Sequence, residues 1–327
     1  MNQLVLGIDI GGTNSVYGFV DHLGNVLLER TIPTQKYEDV ELYVQAFYDD
    51  VQVGLHQLNN SISLVGIGIG APDANYYHGT IENASNLAWK GIVKLKSLFE
   101  QKFNLPTAIT NDANAAAIGE MIFGGAKNLN DFMVITLGTG LGSGIVVNGE
   151  VVYGYTGVAG EMGHVIITPN GRLCGCGRRG CLETYVSATG IKRTFYEVLS
   201  NHNGNSTLRD VSYDALTAKM IADAARDGDI VALESFQKTG ETLGLALANA
   251  VVYTSPEAIF LFGGLAQAGE LIFEPTRKSL NENMLILFKD SVKLLPSEID
   301  NANAAVLGAS ALIWNELHKK NNELVKA

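Results

Sequence analysis

The sequence contains few cysteines, few prolines and no long apolar run, and each scarcity excludes a class of protein. Three Cys in 327 residues do not form a disulfide framework, which needs an even number spread along the chain. Seven Pro, together with 36 Gly that follow no G-x-y period, exclude a collagen-like or proline-rich disordered chain. No run of about 20 apolar residues predicts a transmembrane helix.

Positive charge is also scarce, because 23 Lys and Arg stand against 34 Asp and Glu, a formal net charge of −11. A nucleic-acid binder gains affinity from cationic residues that replace counterions at the phosphates, so this balance argues against one. The N-terminal residues lack the basic region of a secretory signal. We expect a soluble, cytoplasmic protein of about two domains, with no nucleic-acid or membrane partner.

One order of predicted strands and turns occurs twice in the chain. The first copy has strand, turn, strand and strand at residues 4–8, 9–14, 16–20 and 26–28. The second has strand, turn, strand and turn at residues 132–137, 138–142, 143–147 and 148–149. We call residues 9–14 the first turn and residues 138–142 the second turn. The duplication predicts two similar α/β halves.

Apolar residues three and four positions apart predict helices between and after these copies. The predicted helices cover residues 38–58, 91–103, 183–199, 214–225, 230–252, a segment beyond 269, and 303–317. Further strands are predicted at residues 64–70, 107–110 and 258–262. The glycines within 64–70 indicate a close backbone approach, and the polar segment 201–210 is predicted to be an exposed loop.

The first turn combines a carboxylate, glycines and side-chain donors, in Asp9, Gly11, Gly12, Thr13 and Asn14. Glycines allow backbone amides to approach a phosphate, and a neighbouring carboxylate can orient Mg²⁺ or its waters. The turn lacks the patterns G-x-G-x-x-G and G-x-x-x-x-G-K-[ST], which disfavours an NAD enzyme or a P-loop NTPase. Each glycine-rich turn alone also fits an ordinary hairpin, whereas the two together could bind a polyphosphate from both sides.

Asp112 lies where a predicted strand meets an alanine-rich helix. Parallel α/β sheets place ligands at the carboxyl ends of their strands, so Asp112 is a candidate general base. Phosphoryl transfer needs mainly positioning and a carboxylate that accepts the hydroxyl proton. A helix N-cap or first-turn carboxylate is the alternative, and the local sequence does not choose between this role and a general base.

The three cysteines and one histidine have the spacing of a metal site, H-x₉-C-x-C-x₄-C, in His164, Cys174, Cys176 and Cys181. Four such ligands with no open position suit a tetrahedral structural Zn²⁺, and they fit it better than a redox pair. Glu161 and Glu183 flank this cluster. They are either solvated acids or carboxylates that a metal-fixed loop presents to a polyol.

Seven segments follow one another in order along nearly the whole chain. They are GIDIGGTN at 7–14, NLAW at 86–89, NDANAAAIGE at 111–120, LGTGLGSGI at 137–145, EMGH at 161–164, CGCGRRGCLE at 174–183 and FGGLA at 262–266. Together they closely resemble the ROK family of sugar kinases and regulators, within the actin-like ATPase superfamily. The resemblance implies a duplicated actin-like (ribonuclease H-like) α/β fold, with two domains around a central cleft and a structural zinc loop at residues 161–183.

The resemblance also implies domain limits and an activity. The smaller domain is expected to comprise residues 1–112 and 303–327, and the larger one residues 113–302. The implied reaction is ATP-dependent phosphorylation of a hexose, most of all glucose, with ATP, Mg²⁺ and a structural Zn²⁺. The family further implies a homodimer or homotetramer.

Site residues follow from the resemblance position by position. Asp112 is implied as the base that deprotonates the sugar hydroxyl, and Asp9 is expected near Mg²⁺. The implied sugar contacts are Asn86, Asn111, Asp112, Glu161, His164 and Glu183. The implied ATP contacts are Asp9, Gly11, Gly12, Thr13, Asn14, Thr139, Gly140, Gly263 and Gly264. The implied zinc ligands are His164, Cys174, Cys176 and Cys181.

Three functions stay open at this stage. They are a glucokinase, a related kinase for fructose, mannose or an N-acetylhexosamine such as N-acetylmannosamine, and a sugar-sensing transcriptional regulator. Regulators of the family carry an N-terminal helix-turn-helix, and we expect none ahead of Asp9. One departure concerns the choice of sugar, because the family commonly has G-x-P-G where this chain has Gly70-Ala71-Pro72-Asp73. Asp73 either contacts a hydroxyl or faces solvent.

Overall fold

A computed structural model describes residues 2–58, 62–84, 86–202, 206–299 and 304–326. Its first elements are β1 (Asn2–Ile10), β2 (Asn14–Val20), β3 (Val26–Pro33), α1 (Val40–Gln57), β4 (Ile62–Gly70), β5 (Ala74–Asn75), β6 (Thr80–Glu82), β7 (Ile92–Val93), α2 (Leu95–Phe103), β8 (Thr107–Thr110) and α3 (Asp112–Ile122). The following elements are β9 (Phe132–Leu137), β10 (Leu141–Val147), β11 (Glu150–Val151), α4 (Ala188–Asn201), α5 (Ala218–Arg226), α6 (Ile230–Thr254), β12 (Ala258–Phe262), α7 (Glu270–Asn283), β13 (Lys293–Pro296) and α8 (Ala304–Lys326).

Two five-stranded sheets repeat one topology. The first has the order β3-β2-β1-β4-β8 and the second the order β11-β10-β9-β12-β13. In each sheet the strand before the glycine-rich turn pairs antiparallel with the strand after it and parallel with a later strand. The predicted duplication and α/β class are therefore confirmed. A small third sheet has the order β5-β6-β7.

The chain divides into two compact units at limits that differ from the predicted ones. The first unit comprises Met1–Asn128, Val151–Ala159 and Glu298–Ala327, and the second comprises Leu129–Glu150 and Gly160–Ser297. Helix α3 belongs to the first unit because it packs against α8. The segment Val151–Ala159 belongs there as well, since the Tyr153 ring stacks on Tyr76 with centroids 4.1 Å apart.

In the first unit, the glycines of β4 allow α8 to lie directly on the sheet. A Cβ added at Gly68 would lie 1.8 Å from the Ala309 carbonyl oxygen, and one at Gly66 would lie 2.6 Å from Ile313 Cγ1. The predicted close backbone approach is thus confirmed, and its partner is a helix rather than a ligand. On the opposite side of this sheet, α1 contributes Phe47 and Val51 to a buried apolar cluster with Ile8.

The second unit has its own apolar core between its sheet and helices α4, α5, α6 and α7. Helices α6 and α7 touch closely, because a Cβ at Gly244 would lie 2.4 Å from the Thr276 carbonyl oxygen. No helix in the described part of the chain is long and apolar enough to span a bilayer.

Several predicted helices begin later than their periodicity suggested. Strand β7 occupies the start of the helix predicted from residue 91, and Thr217 caps α5 by accepting from the Met220 amide. The helix predicted from residue 183 starts at Ala188, because Ser187 accepts from the Gly190 amide and caps it. Residues 203–205 of the predicted loop 201–210, and residue 303 of the last predicted helix, lie outside the described residues.

Candidate active site and metal centre

In the first unit, two of the predicted carboxylates lie at one edge of the sheet. Strands β1, β4 and β8 are parallel, and their register aligns Asp9 with Gly70 and Gly70 with Thr110. A Cβ at Gly70 would lie 4.0 Å from Asp112 Cα, so the backbone of Asp112 passes close beside this glycine. The sheet thus places Asp9 and Asp112 on either side of Gly70, at the carboxyl ends of the two strands that flank β4, where α/β proteins bind ligands.

Asn111, and not Asp112, caps helix α3. The Asn111 Oδ1 atom accepts from the Ala113 amide at 2.8 Å and from the Asn114 amide at 3.4 Å. Asp112 is the first residue of the helix, and its Oδ1 also accepts from the Ala113 amide at 2.8 Å. Asn111 therefore occupies the N-cap position, and Asp112 is an acidic residue in the first turn of the helix, which is the other form of the helix-terminus alternative.

The electrostatic surroundings of both carboxyls favour the protonated form more than water does. Burial, with a smaller effect from the Asp112 charge, raises the pKa of Asp9 to about 6. Asp112 reaches solvent, yet protein atoms crowd its carboxylate, and this desolvation raises its pKa. The Ala113 amide partly offsets the rise in the pKa of Asp112, and the nearby Asp73 charge adds to it. A carboxylate with a raised pKa is a better proton acceptor near neutral pH.

The first turn is held by its own backbone and by its neighbours. The Gly11 amide donates to the Asn14 carbonyl at 3.0 Å, so Gly11 shapes the turn and does not offer this amide to a phosphate. The Thr13 carbonyl accepts from the amides of Thr34 and Gln35. Thr13 and Asn14 are exposed beyond this fixed backbone, where a phosphate could meet their side chains.

Asn86, the candidate sugar contact, lies against the same turn. A Cβ at Gly12 would lie 2.6 Å from the Asn86 carbonyl oxygen, so only glycine permits this approach. Asn86 itself is exposed. The structure therefore brings a predicted sugar contact and a predicted phosphate contact together within the first unit.

The second turn is held by the N-terminus of α4. The Gly138 carbonyl accepts from the Ala188 amide at 2.8 Å, and the Thr139 carbonyl accepts from the Thr189 hydroxyl at 2.9 Å. Ala188 and Thr189 were not predicted to support this turn, because nothing in their local pattern distinguishes them from other residues at the start of a helix.

The Gly263-Gly264 pair lies beside the second turn. Gly263 has a φ of +99°, and a Cβ on it would lie 2.9 Å from the Leu137 carbonyl oxygen. That carbonyl also accepts from the Leu265 amide at 3.1 Å. No atom lies within 4 Å of a Cβ placed on Gly264, so this glycine faces open space. The predicted contacts for phosphate and adenosine are therefore adjacent in the second unit.

The predicted metal ligands converge in the second unit. One ligand atom each from His164, Cys174, Cys176 and Cys181 lies within 4.8 Å of all the others. The Cys176 and Cys181 sulfurs are 3.7 Å apart, and the Cys174 sulfur is 3.7 Å from His164 Nδ1. A tetrahedral zinc ion with Zn–S bonds of about 2.3 Å has ligand-to-ligand edges of about 3.8 Å. The donor set and its spacing fit a structural zinc ion.

Arg178 favours the metal-binding form of one ligand. Burial raises the pKa of Cys176, but hydrogen bonds from Arg178, together with those from Cys174 and Cys181, outweigh this effect and lower the pKa to about 6. Thiolate, the form that binds metals, is therefore favoured at neutral pH. The Arg178 side chain also donates to the His164 carbonyl at 2.9 Å, which ties the two ends of the zinc loop together.

Glu183 lies between the metal cluster and the second turn. Its Oε1 atom accepts from the Cys174 thiol at 2.9 Å and is 3.8 Å from His164 Nδ1. On the other side, its Oε2 atom lies 2.6 Å from the position of a Cβ on Gly140. Burial and the Glu183 contact raise the pKa of the Cys174 thiol. This carboxylate thus connects two parts of the site that the sequence analysis treated separately.

Glu161 and His164 belong to a short turn next to the one that carries Glu183. Glu161 is exposed and precedes the 3₁₀ turn Met162–His164, and Glu183 lies in the 3₁₀ turn Leu182–Thr184. The Leu182 amide donates to the Val165 carbonyl at 2.9 Å and joins the two turns. All three side chains predicted to contact the sugar in this unit are therefore carried by one connected loop.

Comparison with known proteins finds relatives that match this chain over nearly all of its length. The ROK family model matches residues 5–316. A glucokinase of Halalkalibacterium halodurans is 35% identical over 325 residues, covering 97% of this chain and 98% of that protein. A crystal structure of a ROK family glucokinase from Streptomyces griseus, in complex with glucose and AMPPNP, has a TM-score of 0.78 at 33% identity, covering 94% of this chain and 98% of that one.

Regulators are also among the similar proteins. A xylose repressor of Caldicellulosiruptor bescii is 30% identical over 315 residues, covering 96% of this chain and 78% of that protein. The family model and these relatives match the region that contains both repeated sheets, both glycine-rich turns and the zinc loop. The chain belongs to the ROK family.

Proposed function

We propose that this protein is an ATP-dependent glucokinase, which converts D-glucose and ATP to glucose 6-phosphate and ADP. The observation that carries the proposal is Asp112, a solvent-accessible carboxylate with a raised pKa at the carboxyl edge of the first sheet. The glucokinase relative, which matches nearly end to end, and the complex of the Streptomyces griseus enzyme with glucose and AMPPNP support the choice of substrates.

Asp112 acts as the general base. Its carboxylate accepts the proton of the glucose 6-hydroxyl while that oxygen forms a bond to the γ-phosphorus of ATP. The bond between this phosphorus and the oxygen that bridges to the β-phosphate breaks, and ADP leaves. A base of this kind contributes roughly 10²- to 10⁴-fold to the rate.

The sugar is held by the side chains predicted from the sequence as sugar contacts. Glu161 and Glu183 accept hydrogen bonds from hydroxyls. His164 binds zinc through one ring nitrogen, so its other ring nitrogen carries the proton and donates to a hydroxyl oxygen. The loop that carries all three side chains is fixed by zinc. In Asn111 the oxygen already caps α3, so this residue contributes its amide nitrogen as a donor. Asn86 lies against the first turn and completes the set.

The phosphates of ATP are bound by the two turns. Gly12, Thr13 and Asn14 act from the first turn, and Thr139 and Gly140 act from the second. Gly263 and Gly264 form the surface against which adenosine packs. Mg²⁺, when bound with the nucleotide, neutralises phosphate charge, and Asp9 is the residue that would hold it. Zinc does no chemistry here, because its four protein ligands leave no open position.

Kinases of the same family for other hexoses, and sugar-sensing regulators, are the alternatives. The xylose repressor relative belongs to the second of these classes. A single assay distinguishes each of these alternatives from a glucokinase. The homodimer or homotetramer and the cytoplasmic location stay predictions.

A coupled ADP-release assay over a hexose panel tests the proposal. The panel contains glucose, fructose, mannose, N-acetylglucosamine and N-acetylmannosamine, each with ATP and Mg²⁺. We expect the highest kcat/KM with glucose. A higher value with N-acetylmannosamine, or no turnover with any hexose, would contradict the glucokinase proposal, and the second result would favour a regulator.

A further inference from the structure

Arg172 lies in the zinc loop and forms a hydrogen bond with every N–H group of its guanidinium. A guanidinium has five such donors. Two of them bind the Glu197 carboxylate, from Nε at 2.9 Å and from Nη2 at 2.6 Å. The other three reach the Thr184 carbonyl at 2.7 Å, the Gly190 carbonyl at 3.2 Å and the Thr194 hydroxyl at 3.0 Å. The side chain is only 11% exposed.

The two carbonyls bound by Arg172 belong to segments that hold the site. Thr184 directly follows Glu183, whose carboxylate lies between the metal cluster and Gly140. Gly190 lies in the first turn of α4, the helix that holds the second turn through Ala188 and Thr189. One buried side chain therefore connects the position of Glu183 with the position of the second turn.

Tyr185 gives this arrangement a second attachment. The Arg172 guanidinium lies over the Tyr185 ring, 4.4 Å from its centroid, and the Arg172 amide donates to the Tyr185 hydroxyl at 3.1 Å. The adjacent Gly171 leaves room for that hydroxyl, since a Cβ there would lie 2.2 Å from it. None of the five side-chain or carbonyl partners described for Arg172 is a metal ligand, so this attachment is separate from the zinc site.

We infer that Arg172 is a positioning residue for phosphoryl transfer, which sets Glu183 and the second turn relative to each other independently of zinc. The inference rests on the proposed function, because that function assigns Glu183 to the sugar and the second turn to ATP. Arg172 is neither a metal ligand nor one of the predicted contacts, and the spacing of residues in the sequence gave no signal for it.

The hydrogen bonds from Arg172 to the two carbonyls, rather than its ion pair with Glu197, set Glu183 and the second turn relative to each other. Glu197 is 61% exposed, and exposed ion pairs contribute little to stability. The bonds to Thr184 and Gly190 are partly buried and come from a charged donor, and such bonds are stronger than neutral ones. A lysine offers three donors from a single atom, so it does not reproduce a fork that spans both carbonyls.

The test compares Arg172→Met, Arg172→Lys and Glu197→Gln with the wild-type protein. We expect both Arg172 variants to keep their zinc and their fold, and to lose roughly 10- to 100-fold in kcat/KM for glucose. The KM for ATP should rise in the same variants, because the second turn loses its support. Glu197→Gln should stay within about twofold of wild type. Arg226→Met is the matched control, since Arg226 forms an exposed ion pair with Asp223 and a long bond to a carbonyl.

Two results would overturn the inference. Wild-type kinetics in both folded Arg172 variants would show that the arginine has no role in the site. Zinc loss in proportion to the loss of activity, or an equal loss in Glu197→Gln, would show that it acts through the metal or the ion pair. Should Arg172→Met fail to fold, Arg172→Lys provides the same comparison.

The outcome for the proposed function is read separately. Glucose turnover by the wild-type protein tests that function, whereas the ratio of variant to wild type tests the role of Arg172. If wild-type protein phosphorylates no hexose, calorimetric binding of glucose and AMPPNP replaces kinetics. Weaker binding of both ligands to Arg172→Met than to wild type is expected, and equal binding would overturn the inference.

Discussion

Replacing Gly140 by alanine is the sharpest test of how the second turn and the zinc loop meet. The added Cβ would lie 2.6 Å from Glu183 Oε2, whereas real Cβ atoms keep at least 3.0 Å from their neighbours. The carboxylate therefore has to retreat by at least 0.4 Å, the difference between these distances. Retreat is restricted on the other side, where Oε1 lies 2.9 Å from the Cys174 sulfur. The backbone of Gly140 itself has no positive φ, so alanine brings no backbone strain of that kind.

The expected effect is a loss of activity without a loss of fold. A displacement of about 1 Å in a site of this kind costs on the order of 100-fold in rate. We expect Gly140→Ala to lower kcat/KM for glucose roughly 10- to 100-fold, measured by ADP release, with zinc content and thermal midpoint close to wild type.

Gly138→Ala is the matched control for this prediction. Gly138 lies in the same turn, yet a Cβ placed on it meets nothing within 4 Å. The loss of kcat/KM for glucose in Gly138→Ala should therefore be much smaller than the loss in Gly140→Ala. If the two variants had equal activity, whether high or low, the contact between Glu183 and the second turn could not be the cause of an activity loss in Gly140→Ala.

Three further predictions concern stability and metal. Burial raises the pKa of Asp9 from 3.8 to about 6, so the folded state binds more protons than the unfolded state between these values and loses stability as the pH rises through them. The loss amounts to about 3 kcal/mol at neutral pH and to about 1 kcal/mol at pH 4.5. Asp9→Asn should remove it, so urea unfolding should find this variant more stable than wild type by a clearly larger margin at pH 7.5 than at pH 4.5, and an equal gain at both would contradict the assignment. Cys174→Ser should lose its zinc by elemental analysis and melt at a lower temperature, and a variant that retains both metal and activity would count against the site. Gly68→Ala should destabilise the first unit by about 1–3 kcal/mol in urea unfolding, because its Cβ meets the Ala309 carbonyl at 1.8 Å; a neutral result would show that α8 can move away.

Patterns with a short range in sequence predicted the fold well. The duplicated strand-turn-strand order gave both sheets, because each copy encodes an antiparallel hairpin that forms locally. The glycines of β4 correctly predicted that another part of the backbone approaches this strand closely. They did not identify that part as α8, because α8 follows more than 200 residues later. The spacing of the histidine and the three cysteines predicted the metal cluster because all four ligands lie close together in sequence, within residues 164–181.

Contacts between distant segments were not predictable in this way. The limits of the first unit depend on packing of α3 against α8 and on the stack of Tyr153 on Tyr76, and neither leaves a periodic signal. The support of the second turn by α4 likewise joins residues about 50 positions apart. Arg172 was missed because its role depends on five partners that only the folded loop brings within reach.

Capping also shifted the position of functional residues. Either Asn111 or Asp112 could cap α3 from sequence alone, because both residue types are good caps. The structure gives this position to Asn111, and Asp112 thereby becomes the first helical residue at the edge of the sheet. At that position Asp112 is exposed to solvent.

The measurement that tests the central claim most directly is glucose-dependent ADP release by Asp112→Asn beside the wild-type protein. The account predicts a fall in kcat of roughly 10²- to 10⁴-fold, with glucose affinity by calorimetry and zinc content both retained. Asparagine keeps the shape of the side chain but cannot accept the hydroxyl proton. Wild-type turnover in the folded Asp112→Asn variant would contradict the account, because another group would then have to serve as the base.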